Sequence, residues 1–426
     1  MTISGIRIAI GAATLLGMTA QTNAEGLLPP PQPQLHHVYG ITDAIMDGKV
    51  DLSLRYRFEH VDQASFRRDA NASTLQTLLG YHTGSFYDIS AYLQFRNVVV
   101  VGEERYNSTI NGQVTRPVVA DPEATEVAQA YLQFDNLPDT KVTVGRRKFN
   151  WGNQRFVSFL GWRQNERSFD GVVVENKSLP DTEIKYSFLN NVNRTFTDAS
   201  PVGNFDGSSI HLVNAENNSL KFGKLTAYAY LLGLHGFPTA PLLATQTYGA
   251  NFTGGVPIGH ATKLLYQFEY AHQMDYGDNP RNFEAEYYRL EGGIKHRPLT
   301  VKAGYEVLGS DAGAVGFSTP LALLHAYNGW ADKFLATPAT GLEDFYVNAA
   351  LQFKDVAWWL NGLKFVVAYH DFDAEDGGVH YGNEWDAAII KKFDKHHSLL
   401  FKYANYDADG FSDDTEKFWV QFKAKY

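Results

Sequence analysis

The chain has 426 residues, of which 44% are hydrophobic and 14% aromatic, with no cysteine and a formal net charge of −10. The missing cysteine removes disulfides, zinc–thiolate sites and thiol nucleophiles. The acidic balance argues against a nucleic-acid partner, which would need a basic stripe to displace counterions.

In chain order, the first element expected is a signal peptide over residues 1–24. Arg7 precedes an apolar stretch from Ile8 to Met18, and Thr22-Asn23-Ala24 supplies a small-residue cleavage site. That apolar stretch is too short to anchor a helix in a bilayer. Without Arg7, 36 cations face 47 acids, a net −11. Residues 25–46, with the Pro-rich run Pro29 to Pro33, read as an extended periplasmic leader. Residues 47–426 then read as a single unit.

That unit opens on strict alternation. Val50, Leu52, Leu54, Tyr56 and Phe58 oppose Asp51, Ser53, Arg55 and Arg57, which predicts a strand with one apolar and one wet face. Tyr87 to Phe95 alternate in the same way with Asp88, Ser90, Gln94 and Arg96. Farther on, Leu264 to Tyr270 oppose Gln267 and Glu269, Tyr288 to Ile294 oppose Arg289, Glu291 and Lys295, and Val301 to Val307 oppose Lys302 and Glu306. The final segment places Phe418, Val420, Phe422, Ala424 and Tyr426 opposite Lys417, Gln421, Lys423 and Lys425. An aromatic end to an amphipathic strand resembles the signal that outer-membrane barrels present to their insertion machinery.

Short links (His82 to Phe86, Asp135 to Thr140, Asn176 to Asp181, His296 to Leu299, Asp394 to His397) alternate with long ones (Val98 to Thr125, Lys148 to Ser168, Asn190 to Ser208, Leu308 to Leu342). Bacterial barrels sort their connections in this way, into short periplasmic turns and long extracellular loops. The expectation is an all-β transmembrane antiparallel β-barrel of about eighteen strands, a size that leaves an aqueous lumen, with sixteen as the alternative count. A Lys or Arg on the lipid face costs about 2–4 kcal/mol at the midplane, so the charged rows must point inward.

Residues 145–171, GRRKFNWGNQRFVSFLGWRQNERSFDG, concentrate Arg146, Arg147, Lys148, Arg155, Arg163 and Arg167 with Glu166 and Asp170 in one long loop and its strand ends. Guanidinium groups at a wet constriction attract carboxylates and release them again. Opposed rows of Arg and Asp or Glu can equally brace a barrel wall, and the two roles can coexist. The loop from Leu308 to Leu342, with His325 to Asp332 at its middle, is apolar enough to fold into the lumen. Two acidic loops, 371–376 and 407–414, make Asp407, Asp409 and Asp413 candidates for a structural Ca²⁺, although the Glu that closes an EF-hand loop is missing. The pairs His36-His37 and His396-His397 project to opposite sides of extended chain and do not suggest a shared metal. No G-x-S-x-G, H-E-x-x-H, Walker or G-x-G-x-x-G pattern occurs. The chain is therefore not expected to be an enzyme or to need a cofactor.

Residues 145–171, together with residues 316–347 (GFSTPLALLHAYNGWADKFLATPATGLEDFYV), the opening strand 47–63 and the terminal strand, resemble the alginate export family of outer-membrane channels across essentially the whole mature chain. The resemblance implies an eighteen-stranded monomeric barrel in the bacterial outer membrane, whose electropositive constriction passes an anionic polysaccharide. By position it marks Arg147, Arg155, Arg163, Arg167 and Asp170 as pore or substrate-binding candidates. Strand parity adds Arg55, Arg96, Arg289 and Lys302, on an inward face that also carries Asp51, Asp88, Glu291 and Glu306. The expected partners are the lipid bilayer and lipopolysaccharide, an anionic solute or polysaccharide, the barrel-insertion machinery and periplasmic export proteins. Three alternatives stay open: a general or small-organic-acid porin, a hydrolase on a barrel scaffold, and a plugged structural or adhesive barrel.

Overall fold

The computed structural model describes residues 40–354 and 356–426. The expected signal peptide, the Pro-rich run and His36-His37 lie outside the described residues. The last residues of the expected leader form a short helix, α1 (Ile41–Met46).

Alternating segments become strands because each pleat must put one row of side chains toward lipid and the next toward the lumen. The first nine are β1 (Lys49–Gln63), β2 (Ala70–His82), β3 (Ile89–Val100), β4 (Ala124–Leu137), β5 (Thr140–Arg147), β6 (Ser168–Asn176), β7 (Thr182–Asn193), β8 (Ser209–Asn217) and β9 (Gly223–Gly233). The second nine are β10 (Thr245–Ile258), β11 (Thr262–Asp275), β12 (Glu284–His296), β13 (Leu299–Leu308), β14 (Leu342–Gln352), β15 (Leu363–Asp373), β16 (His380–Lys392), β17 (His397–Ala408) and β18 (Thr415–Lys425). Every strand pairs antiparallel with its sequence neighbours. β1 also pairs with β18, from Ser53 opposite Lys425 to Gln63 opposite Thr415, so the sheet closes on itself and has no edge.

Connections at one end are mostly brief (83–88, 138–139, 177–181, 218–222, 259–261, 297–298, 393–396), and 353–362 is the longest of that set. At the other end lie 101–123, 148–167, 194–208 and 309–341. Parity holds through the wall: Phe268 and Leu290 face outward at 50% and 49% exposure, while their neighbours Gln267 and Glu291 face inward and are buried. Tyr426 continues the closure by exchanging backbone hydrogen bonds with Leu52.

One expected inward residue is misplaced by the sequence pattern. Tyr87 and Asp88 both have positive φ, 49° and 60°, and form the turn before β3. Asp88 therefore belongs to a turn and not to the inward row.

Candidate functional site: a lumen narrowed by two inserted segments

Inward charges on a water-filled barrel should be wetted, yet many here are buried. The cause is that two extracellular connections turn into the barrel. The first, 148–167, carries Phe149, Trp151, Phe156, Phe159, Leu160 and Trp162, a set too apolar to stand in water. Inside the lumen these side chains pack on one another, while the backbone polar groups they bring along need partners there. The wall supplies them. Arg55 on β1 donates from Nε to Gln164 Oε1 at 2.8 Å, from Nη1 to the Gly161 carbonyl at 2.7 Å and from Nη2 to the Arg163 carbonyl at 2.5 Å. Arg96 on β3 donates to the Glu166 carbonyl at 2.5 Å. Arg57 lies 4.0 Å over the Trp162 ring, a cation–π contact.

The second segment, 309–341, docks beside the first. Ala331 N donates to Glu384 Oε1 at 2.7 Å, and Trp330 N donates to the same oxygen. His325 stacks on Trp162 at 4.2 Å with 8° between the ring planes. One of its nitrogens lies 2.7 Å from Asp332 Oδ1 and the other 2.6 Å from Lys402 Nζ on β17. Burial drives His325 well below its ordinary pKa despite Asp332. A neutral ring then donates through Nδ1 to Asp332 and accepts from Lys402 Nζ through Nε2. Burial would likewise raise Glu166, but Lys148 Nζ at 2.7 Å and Arg55 more than offset it and hold the carboxyl at about 2.

Of the residues expected at the pore, the structure gathers Arg55, Arg96, Arg155, Arg163 and Arg167 around the inserted segments. Arg155 pairs with Glu306 at 3.0 Å and donates to Asn328 at 3.0 Å. Arg163 reaches Glu59 at 3.2 Å and Asp332 at 3.0 Å. Arg289 also meets the second segment, 5.3 Å from the Tyr327 ring, and Arg289 and Lys302 both pair with Glu291, at 3.0 and 2.6 Å. Arg147 pairs with Glu175 at 3.1 Å.

Asp170 is a correction. It sits opposite Arg146 in register, in the row of Ala130, Leu132 and Val144, and Leu132 and Val144 are exposed to the outside. Its carboxylate takes a two-pronged hydrogen bond from Arg146 at 2.8 and 2.9 Å on the outer face of the extracellular rim, away from the lumen. Gly145, within β5, allows the close strand approach here. Its φ is +124°, and a Cβ there would stand 2.3 Å from the Ala130 carbonyl oxygen. In the acidic loops, Asp413 accepts from Gln63 at 3.1 Å, and among the described residues no group of three His, Asp or Glu side chains is arranged to hold a metal ion.

Sequence reasoning missed Glu59, Asp121, Gln164, Glu384 and Lys402. Parity alone could have found Glu59 and Lys402, which share inward rows with Arg57 and Ala404. Asp121 and Gln164 lie in connections, where no periodicity points to them.

Most cations of the constriction are matched by carboxylates, so they brace the inserted segments against the wall. Arg167 differs. It donates to the Ser158 and Pro320 carbonyls at 3.1 and 3.0 Å, and no carboxylate lies within 4.0 Å of it among the described residues. Burial, with Arg194 adding repulsion, pulls it down to about 9, still a cation at neutral pH. Arg194 is also without a carboxylate among the described residues; it donates to the Val202 and Gly203 carbonyls and rests on Phe205. The two form an uncompensated basic zone on the extracellular side of the constriction.

The sequence profile of the alginate export family matches residues 48–306. Among solved structures, the fold is similar to that of Pseudomonas aeruginosa OpdK, crystallised with vanillate (TM-score 0.69, 14% identity, 90% of this chain and 99% of that chain). It is also similar to Acinetobacter baumannii OccAB2 (TM-score 0.70, 14% identity, 90% and 99%) and to Pseudomonas aeruginosa OccD3 (TM-score 0.67, 14% identity, 91% and 93%). No curated protein sequence matches this chain.

Proposed function

Because the chain belongs to the alginate export family of bacterial outer-membrane channels, we propose that it passes anionic solutes, acidic saccharides foremost, by passive diffusion. The observation that carries this reading is the pair Arg167 and Arg194, guanidiniums with no carboxylate within 4.0 Å among the described residues, one at the end of the first inserted segment and one at the start of the connection 194–208. A cation neutralised by a neighbouring carboxylate offers little to a passing anion. One held only by carbonyls keeps its field, and the planar fork can engage a carboxylate in two places. Nothing in the sequence couples to an energy source, so concentration gradients or periplasmic partners set the direction. The lipid-facing rows sit in the bilayer.

A second reading, a small-organic-acid porin, is favoured by the inserted segments. Joined across the lumen, they leave less room for a polymer than for a compact acid. OpdK, similar in fold only, was crystallised with such a compound. Current block of the purified channel, screened across alginate oligomers, other uronic oligomers, neutral sugars and small organic acids, separates the readings. Block by oligomeric uronates supports the saccharide reading, block by small acids alone supports the second, and block by neither overturns both.

A further inference from the structure

On the periplasmic side of the first inserted segment, the lumen wall holds a partly open recess between that segment and the strands β8 to β11. Its roof is Trp151 and Phe156, and one side is the stacked pair Tyr228 and Tyr230, 4.9 Å apart at 12°. Asn214, Asn251, Gln267 and Glu269 complete it. Lys224 and Thr253 line its end nearest the short connections 218–222 and 259–261.

Donors around this recess are turned inward on its own acceptors. Glu269 accepts from Asn153 at 2.6 Å, from Asn251 at 2.9 Å and from the Tyr228 hydroxyl at 3.1 Å. Asn214 Nδ2 donates to the Tyr230 hydroxyl at 3.2 Å, and Thr253 donates to Asn251 Oδ1 at 2.6 Å. Lys224, the one cation of the lining, is engaged by Glu216 at 2.7 Å. An acceptor is left over: Asn214 Oδ1 is buried and has no hydrogen-bond partner among the described residues. A buried acceptor without a donor is costly, and a ligand that brings the donor removes the cost. A carboxylate ligand brings no donor and would meet Glu269.

We infer that the recess is a binding subsite for an uncharged hydroxyl-bearing ring, a neutral saccharide unit or cyclic polyol, separate from the basic zone on the other side of the inserted segment. Aromatic walls take the apolar faces of the ring, and its hydroxyls donate to Asn214 Oδ1 and the Glu269 carboxylate. The inference rests on the lumen being a solute passage but not on the channel's preference for anions. Acidic saccharides would meet Arg167 and Arg194 first and present only their hydroxyl edges here.

The test uses the full-length protein with sucrose and glucuronate as probes. Trp151 emission, taken as the difference between wild type and Trp151→Phe in detergent, is titrated alongside current block in planar bilayers. Sucrose should change the Trp151 signal saturably and block current, glucuronate should change the signal far less, and Asn214→Leu should raise the half-saturating sucrose concentration about tenfold or more. Glu269→Gln, which removes the charge at the same site, should bring the glucuronate response toward that of sucrose. A Trp151 signal unmoved by sucrose, or moved equally by glucuronate in the wild type, overturns the subsite. A sucrose-responsive Trp151 in a protein that passes no current supports the subsite and overturns the passage reading instead.

Discussion

Arg163 and Asp332 stand 3.0 Å apart inside the barrel, joining the two inserted segments by an ion pair. Each partner is also tied to the wall, Arg163 to Glu59 on β1 and Asp332 to Lys417 on β18. The segments thus narrow the lumen as one unit, anchored across the seam where the first and last strands meet.

Removing Arg163 leaves Glu59, Asp121 and Asp332 buried without their shared cation, a loss on the order of 3–5 kcal/mol of docking energy. Arg163→Ala should therefore show larger and noisier single-channel conductance than wild type, with Arg163→Lys in between because an ammonium lacks the fork. Conductance identical to wild type in the Ala variant would contradict the joined-unit account.

Arg167→Gln removes a cation that has no carboxylate to release, so its effect should appear in selectivity more than in docking. The reversal potential under a salt gradient should move toward that of an unselective pore. Arg147→Gln, which frees Glu175, should shift it further toward cation preference.

Acid should undock the first inserted segment. The Glu166 carboxyl is held at about 2 against an ordinary value of 4.5. A depressed carboxyl stabilises the docked state fully above 4.5 and loses that contribution as pH falls through about 2. Hydrogen exchange of residues 148–167 should therefore be flat from neutral pH to about 4.5 and lose protection progressively below it. Glu166→Gln should abolish this part of the pH dependence.

Adjacent residues on β11 give a direct reading of which face meets lipid. Phe268→Arg should destabilise the folded barrel in bilayers by about 2–4 kcal/mol, whereas Gln267→Arg should be tolerated far better. Urea unfolding in lipid vesicles distinguishes them.

The wall was legible because period-two alternation is a local consequence of facing two solvents, and segments such as Leu264 to Tyr270 carry that signal within seven residues. It failed at Asp88, where alternation runs on into a turn; Asp170 was marked by family position and not by alternation, and it stays in the outward row opposite Arg146. The constriction was legible as composition but not as geometry. The sequence marked Arg155, Arg163 and Arg167 as a cluster, yet their partners Glu306, Asp332 and Pro320 come from elements about 150 or more residues away. Asn214 gave no signal, because an inward Asn on a strand looks like any wet-face residue until its neighbours are known.

The central claim is that a water column lies inside a lipid-facing wall and that uncompensated guanidiniums bias it toward anions. Reversal potential of the purified protein in a planar bilayer under a tenfold potassium chloride gradient tests both halves at once. The account predicts steady conductance with a potential of the sign set by chloride, reduced in Arg167→Gln. Absent conductance, or a potential of the sign set by potassium, would contradict it.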